Sequence, residues 1–272
     1  MIVLFSNLLF QVMIYLTLTY YDNGNISEIK SGAGRENFYY DSNGRLVRWV
    51  LNGATQENYS YDAAGNLLTK GSKTYTYNNA NQITNQGFTY DNNGNLTGDG
   101  TFKYAYDSEN QLIDVRKFSY NSLVSTYSYH HDGLRKSKTV YTGITPRTTN
   151  YYWDAFGRLV RDDKDFIYDN SGNLIAICGV GATYYRVHTN LRGDVVSITT
   201  EAGSKLASYK YDPWGKIISS TGTYSQPFRY AGYYYDEETG LYYCKNRYYS
   251  PALGRFLTKD SIGYINYSDP QT

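Results

Sequence analysis

Two cysteines and three histidines in 272 residues leave little for metal or redox chemistry. Cys178 and Cys244 lie in no Cys-x-x-Cys pair and no Cys/His cluster, which argues against a structural zinc site. Both read as unpaired sheet residues, able to pair only in an exported protein. His130 and His131 are neighbours, so on a strand they point to opposite faces and cannot both ligate one metal; His188 has no acidic partner at metal spacing. No G-x-S-x-G elbow appears, and the glycines form neither of the phosphate-cradling Gly-rich loops. We therefore expect no metal and no cofactor. Charge is scarce and balanced, at 19% charged residues and a net +1, so no global field points to nucleic acid or an anionic membrane. Also missing is any long run with the 3.6-residue period of an amphipathic helix.

What is abundant is tyrosine, 34 residues. Tyrosine lays a flat apolar ring on a pleated sheet and keeps its hydroxyl at water or at a polar partner. The tyrosines are periodic. The unit Tyr-Asp-x-x-Gly-Asn/Arg-Leu occurs at Tyr40–Leu46, Tyr61–Leu67, Tyr90–Leu96 and Tyr168–Leu174. Degenerate copies begin at Tyr77, Tyr106, Trp153 and Tyr211, and a copy one residue short begins at Tyr21. Each unit reads as a tight β-hairpin turn. Tyrosine ends one strand, aspartate opens the turn by accepting from backbone N–H groups just ahead, and glycine (or asparagine) takes the positive φ. Leucine or isoleucine then restarts the strand on the buried face. Alternation in Lys73–Tyr77 and Ser125–Tyr129 adds the period of two. The fold class is all-β, built of successive hairpins. Asp41, Gly44, Asp62, Gly65, Asp91, Gly94, Asp169, Gly172, Asp212 and Gly215 are read as structural turn residues.

These repeats resemble the YD repeats of rearrangement-hotspot (RHS) and wall-associated bacterial proteins, toxin-complex C subunits and animal teneurins. Later segments sharpen the resemblance. Tyr184–Val196, Tyr209–Gly215 (YKYDPWG), Phe228–Tyr243 (FRYAGYYYDEETGLYY) and Arg247–Leu257 are similar to the RHS repeat-associated core domain, in its bacterial form. The resemblance implies a sheet that spirals into a partial hollow shell and a core domain that plugs one end. It implies a C-terminal toxin as partner, absent from this chain, held for contact-dependent competition between bacteria and cut free by aspartyl self-cleavage. On that basis residues 1–19 are an apolar first segment, 20–175 the repeat sheet, 180–263 the core and 264–272 a truncated tail.

The chain departs from the family around the cleavage region. Gly254–Gly263 keeps the first part of that motif with Ser261 in place of proline, the Asn-Leu-Tyr segment is missing, and Gln271-Thr272 stands where Gly-Leu is expected. A self-cleaving site needs two carboxylates sharing a proton. Asp260 is the candidate for one of them, with Arg255 as support; otherwise the two are structural. The leading expectation is a non-catalytic scaffold, at most an incomplete autoprotease. A surface module binding cell-wall glycan through tyrosine rows is the other alternative. Open sheet edges would invite pairing with a further YD-repeat chain. The expected location is secreted or cell-surface, with a cytoplasmic remnant as the alternative. Met1–Tyr20, uncharged and apolar, reads either as a strand over residues 13–21 or as a membrane-targeting segment. No other membrane span is expected.

Overall fold

The computed structural model describes residues 17–260 except 33, 142, 180 and 182. The apolar segment before residue 17, residues 264–272 and Ser261 lie outside the described residues. Every extended element is an antiparallel strand, and the described residues divide into two compact units, 17–85 and 86–260.

The first unit is one meander of seven strands in chain order: β1 (Thr17–Tyr20), β2 (Ile26–Ser31), β3 (Gly34–Tyr40), β4 (Leu46–Leu51), β5 (Ala54–Tyr61), β6 (Leu67–Lys70) and β7 (Lys73–Thr74). Its core holds Phe38, Trp49, Tyr59 and Leu67.

The second unit holds three sheets. One runs through β8 (Phe88–Tyr90), β9 (Leu96–Asp99), β10 (Phe102–Tyr106), β11 (Leu112–Lys117), β12 (Leu123–Tyr129), β13 (Arg135–Val140) and β14 (Arg147–Asn150). The next has eight strands: β15 (Tyr152–Trp153), β16 (Leu159–Arg161), β17 (Asp165–Tyr168), β18 (Leu174–Cys178), β19 (Tyr184–Thr189), β20 (Val195–Thr200), β21 (Lys205–Tyr211) and β22 (Ile217–Gly222). A small C-terminal sheet follows: β23 (Tyr234–Asp236), β24 (Leu241–Tyr243), β25 (Tyr248–Ser250) and β26 (Arg255–Phe256). Within this sheet β18 pairs with β19, Ala176 opposite Arg186 and Cys178 opposite Tyr184.

The repeat turn is the local rule behind this order. In the copy at Tyr40, Asp41 Oδ1 accepts from the N–H groups of Asn43 (3.0 Å) and Arg45 (2.9 Å), while Gly44 N donates to Asp41 O (3.0 Å). Gly44 has φ +76°, and Asn81 and Asn110 take the same left-handed conformation in the degenerate copies. Further turns obey the same hydrogen-bond pattern without the sequence signature, among them those at Thr200–Ser204 and Arg229–Tyr233. In Tyr129–Arg135, His130 N donates to Leu134 O and Gly133 N to His130 O; in Thr189–Val195, Asn190 N donates to Asp194 O and Gly193 N to Asn190 O. His130 and His131 thus lie in a turn and not on a strand, because this backbone forms without the aspartate as long as the fifth position takes a positive φ.

The exposed face has its own pattern. Cross-strand hydroxyl pairs stand at 2.7–2.9 Å: Ser60 with Thr69, Thr76 with Thr84, Thr89 with Thr97, Ser128 with Ser137, Thr139 with Thr148, and Ser208 with Thr221. Such pairs are a recognised unit of sheet stabilisation.

Candidate functional site

In seven turns the opening tyrosine also ties the turn to the one before. In the first unit the hydroxyls of Tyr40, Tyr61 and Tyr77 donate to the carbonyls of Ile26, Leu46 and Leu67, each the residue that restarts the strand in the preceding repeat. In the second unit Tyr106, Tyr129, Tyr168 and Tyr211 donate in the same way to Leu96, Leu112, Leu159 and Val195. Trp153, standing in the tyrosine slot, donates its indole N–H to Arg135 O at 2.8 Å. Asparagines add a second tie: Asn66 Nδ2 reaches Asn81 Oδ1, and Asn95 Nδ2 reaches Asn110 Oδ1.

Arg135 is the exception in this ladder. It fills the slot that leucine, isoleucine or valine takes in the other repeats, so its side chain is carried into the core, and it is fully buried. Its guanidinium lies among the rings of Tyr151 (4.4 Å), Tyr243 (4.4 Å), Tyr234 (4.8 Å) and Tyr127 (5.7 Å). Such contacts favour a desolvated cation. Nη1 donates to Asp236 Oδ2 at 2.6 Å, and Lys138 Nζ, three residues on along β13, donates to Asp236 Oδ1 at 2.8 Å. Lys138 also lies 3.1 Å from the Glu238 carboxylate. Burial alone would raise Asp236, but Arg135 and Lys138 outweigh it and hold the carboxyl below the ordinary range. Glu238 moves the other way, raised by burial and then by the charge of Asp236. The cluster joins β13 of a repeat sheet to β23 of the C-terminal sheet. It is a seat for that sheet.

A second seat lies at the last repeat turn. The hydroxyls of Tyr230, Tyr249 and Tyr242 donate to the carbonyls of Pro213, Trp214 and Gly215 at 2.8–3.0 Å. Buried Asp194 accepts from Ala231 N (2.8 Å) and pairs with Arg192 (2.8 Å).

Asp260 sits at the rim of a cleft of about 170 Å³, with Glu109, Asn95, Tyr129 and Lys259 among its lining residues. Arg247 Nη2 is 2.8 Å from Asp260 Oδ2. Arg255 lies on β26 opposite Ser250. Leu96 N donates to Leu257 O at 2.8 Å, which fastens this stretch to β9. Glu109 is thus the second carboxylate of the cleft. No group of three or more metal-ligating side chains occurs among the described residues. Nor is any described helix long and apolar enough to cross a membrane. Sequence reading passed over Arg135 and Lys138, and met Asp236 and Glu238 only as letters of a family motif. The available signal was a charged residue in a leucine slot.

Burial of the tyrosines has a measurable consequence. Tyr61 is pushed up to about 12, by burial and then by Asp41, and Tyr243 to about 12 by burial against the pull of Arg135. A raised pKa means that their contribution to stability is complete below the unfolded value of 10.0 and disappears as pH climbs through about 12. Urea midpoints measured across the alkaline range should hold level to pH 10 and then fall, with the tyrosinate absorbance of the buried rings appearing together with unfolding. Ionisation of every tyrosine before any unfolding would contradict the ladder.

Turns linked tyrosine to carbonyl, with a tyrosine-rich sheet seated on the last of them, define a YD-repeat β-shell wall. The sequence model of the Teneurin YD-shell family matches residues 8–272, and the chain belongs to that family. Among curated relatives, the tRNA3(Ser)-specific nuclease WapA of Bacillus spizizenii is 39% identical over 160 residues, 55% of this chain and 7% of that protein. The double-stranded DNA deaminase toxin A of Burkholderia cenocepacia is 38% identical over 88 residues, 30% of this chain and 6% of that protein. The chain thus spans a small fraction of the curated relatives it matches. A structure of the Photorhabdus luminescens Tc holotoxin pore covers 94% of this chain and 18% of its own, with a TM-score of 0.51 at 15% identity, a likeness of fold.

Proposed function

We propose that this chain is a non-catalytic section of shell wall, with the sheet that closes it, from a toxin system of the RHS type. The observation that carries the proposal is the buried Arg135–Asp236–Lys138 seat, which fixes the C-terminal sheet on the repeat wall. A wall section so fastened can enclose or present a polypeptide. The relatives support the same reading. A tRNA nuclease and a DNA deaminase toxin perform unrelated chemistry, yet each matches this chain over only 6–7% of its length, as a shared container would. On this reading the partner is a C-terminal toxin, the setting is contact-dependent competition between bacteria, and the place of action is outside the cell or at its surface. The core sheet and the repeats act as one functional device, whatever boundary is drawn near residues 175–180.

Intact-mass spectrometry of the purified chain tests the non-catalytic reading. A single mass for all 272 residues is the expected result. Loss of the residues after Asp260, abolished by Asp260→Asn, would establish self-cleavage and overturn it.

A further inference from the structure

Four sheets present eight edge strands among the described residues: β1, β7, β8, β14, β15, β22, β23 and β26. Sheet edges offer unpaired N–H and C=O groups, and proteins ordinarily blunt them by shortness, charge or proline. Seven of the eight have four residues or fewer, and β14 also carries Arg147, paired with Asp163. The exception is β22. It has six residues, Ile-Ile-Ser-Ser-Thr-Gly, with no charge and no proline. Ile218 through Gly222 are all exposed, and Ile218 is a large apolar side chain left at the surface. Its inner edge is fully used by β21 over Ala207–Tyr211.

We propose that β22 is a docking edge for a second copy of this chain, joined strand to strand in antiparallel fashion. The strand itself selects that occupant. A two-fold axis through Ser220 would set Thr221 opposite Ser219 of the second copy, Ser219 opposite its Thr221, and Ser220 opposite itself. Thr221 already forms the hydroxyl pair with Ser208 across β21 and β22, and Ser219 lies on the same face two residues away. Self-pairing therefore extends across the new boundary the hydroxyl ladder that runs along the exposed faces of the other sheets. The absence of charge means that two copies meet without repulsion, a condition that a strand bearing one sign could not meet with itself. The contact is isologous, so it closes as a dimer and does not propagate through this edge.

Sedimentation velocity on the full chain at micromolar concentration tests the assignment. The wild-type chain should sediment as a dimer. Ser220 is exposed, and S220K and S220E chains should each sediment as monomers, because like charges then face one another on the axis. An equimolar mixture of the two should restore the dimer, since Lys then faces Glu. Far-UV circular dichroism should match wild type in both variants. A monomeric wild-type chain overturns the proposal. So does a dimer that S220K and S220E leave intact, and so does a mixture that stays monomeric. Restoration by mixing also excludes misfolding as the cause of dissociation.

Discussion

Replacing Arg135 with alanine is expected to destabilise the second unit by about 3–5 kcal/mol, the cost of breaking one side of a buried ion pair. The substitution strands Asp236, which has no exposed surface, with Lys138 as its one remaining cation, and it empties the space between four tyrosine rings. Urea unfolding followed by tyrosine and tryptophan fluorescence would measure it. A loss below about 1 kcal/mol, the scale of exposed ion pairs, would mean that water reaches the carboxylate and that the cluster is not a seat. A hydrophobic replacement of both partners, Arg135→Met with Asp236→Leu, should recover part of the loss, because neither charge then needs compensation. The acid limb follows from the same pair. Asp236 has a depressed pKa, so its contribution is complete above the ordinary carboxylate value of 3.8 and is lost as pH falls through its lower folded value. Asp236→Asn should flatten that limb.

Alanine at Gly215 should be far more costly than alanine at Gly172, although both glycines occupy the same place in their repeats. Their backbones are nearly identical, with φ +87° and +84°. At Gly172 an added Cβ meets nothing within 4 Å, so the cost is the strain of the left-handed conformation alone, about 1–2 kcal/mol. At Gly215 the added Cβ would lie 2.5 Å from the ring of Tyr230, which is fixed by its hydrogen bond to Pro213 O. The Gly215 carbonyl also receives the hydroxyl of Tyr242. Overpacking adds a further 1–3 kcal/mol to the strain, for a total of about 2–5 kcal/mol. Paired thermal melts would read the difference. Equal costs would mean that the C-terminal sheet does not bear on the last turn.

The two predictions also mark how far the sequence could be read. Tyr-Asp-x-x-Gly was legible because every part of it acts within a few residues: the carboxylate caps its own turn, and the glycine takes its own φ. The all-β class followed, as did the meander order, since short turns join neighbours. The turn at Tyr129–Arg135 escaped notice because the aspartate is replaced by His130 while the backbone bonds persist. That slip concealed Arg135 as the occupant of a core slot. Asp236 was visible as part of a motif, but its partners stand 101 and 98 residues away and no local pattern announces them. Asp260 was visible too, whereas its partner Arg247 came only from the path of the C-terminal strands.

By itself, then, the sequence determined the hairpin unit, its repetition, the strand class and the family, because turn chemistry and side-chain alternation are local and are written again in every copy. Tertiary structure alone decided which tyrosines bind which carbonyls, which glycine has no room for a methyl group, where the C-terminal sheet is seated, and which edge is left open. Those outcomes depend on contacts between distant segments. A buried charge finds its counterion, and a hydroxyl its carbonyl, only when the fold has removed both from water.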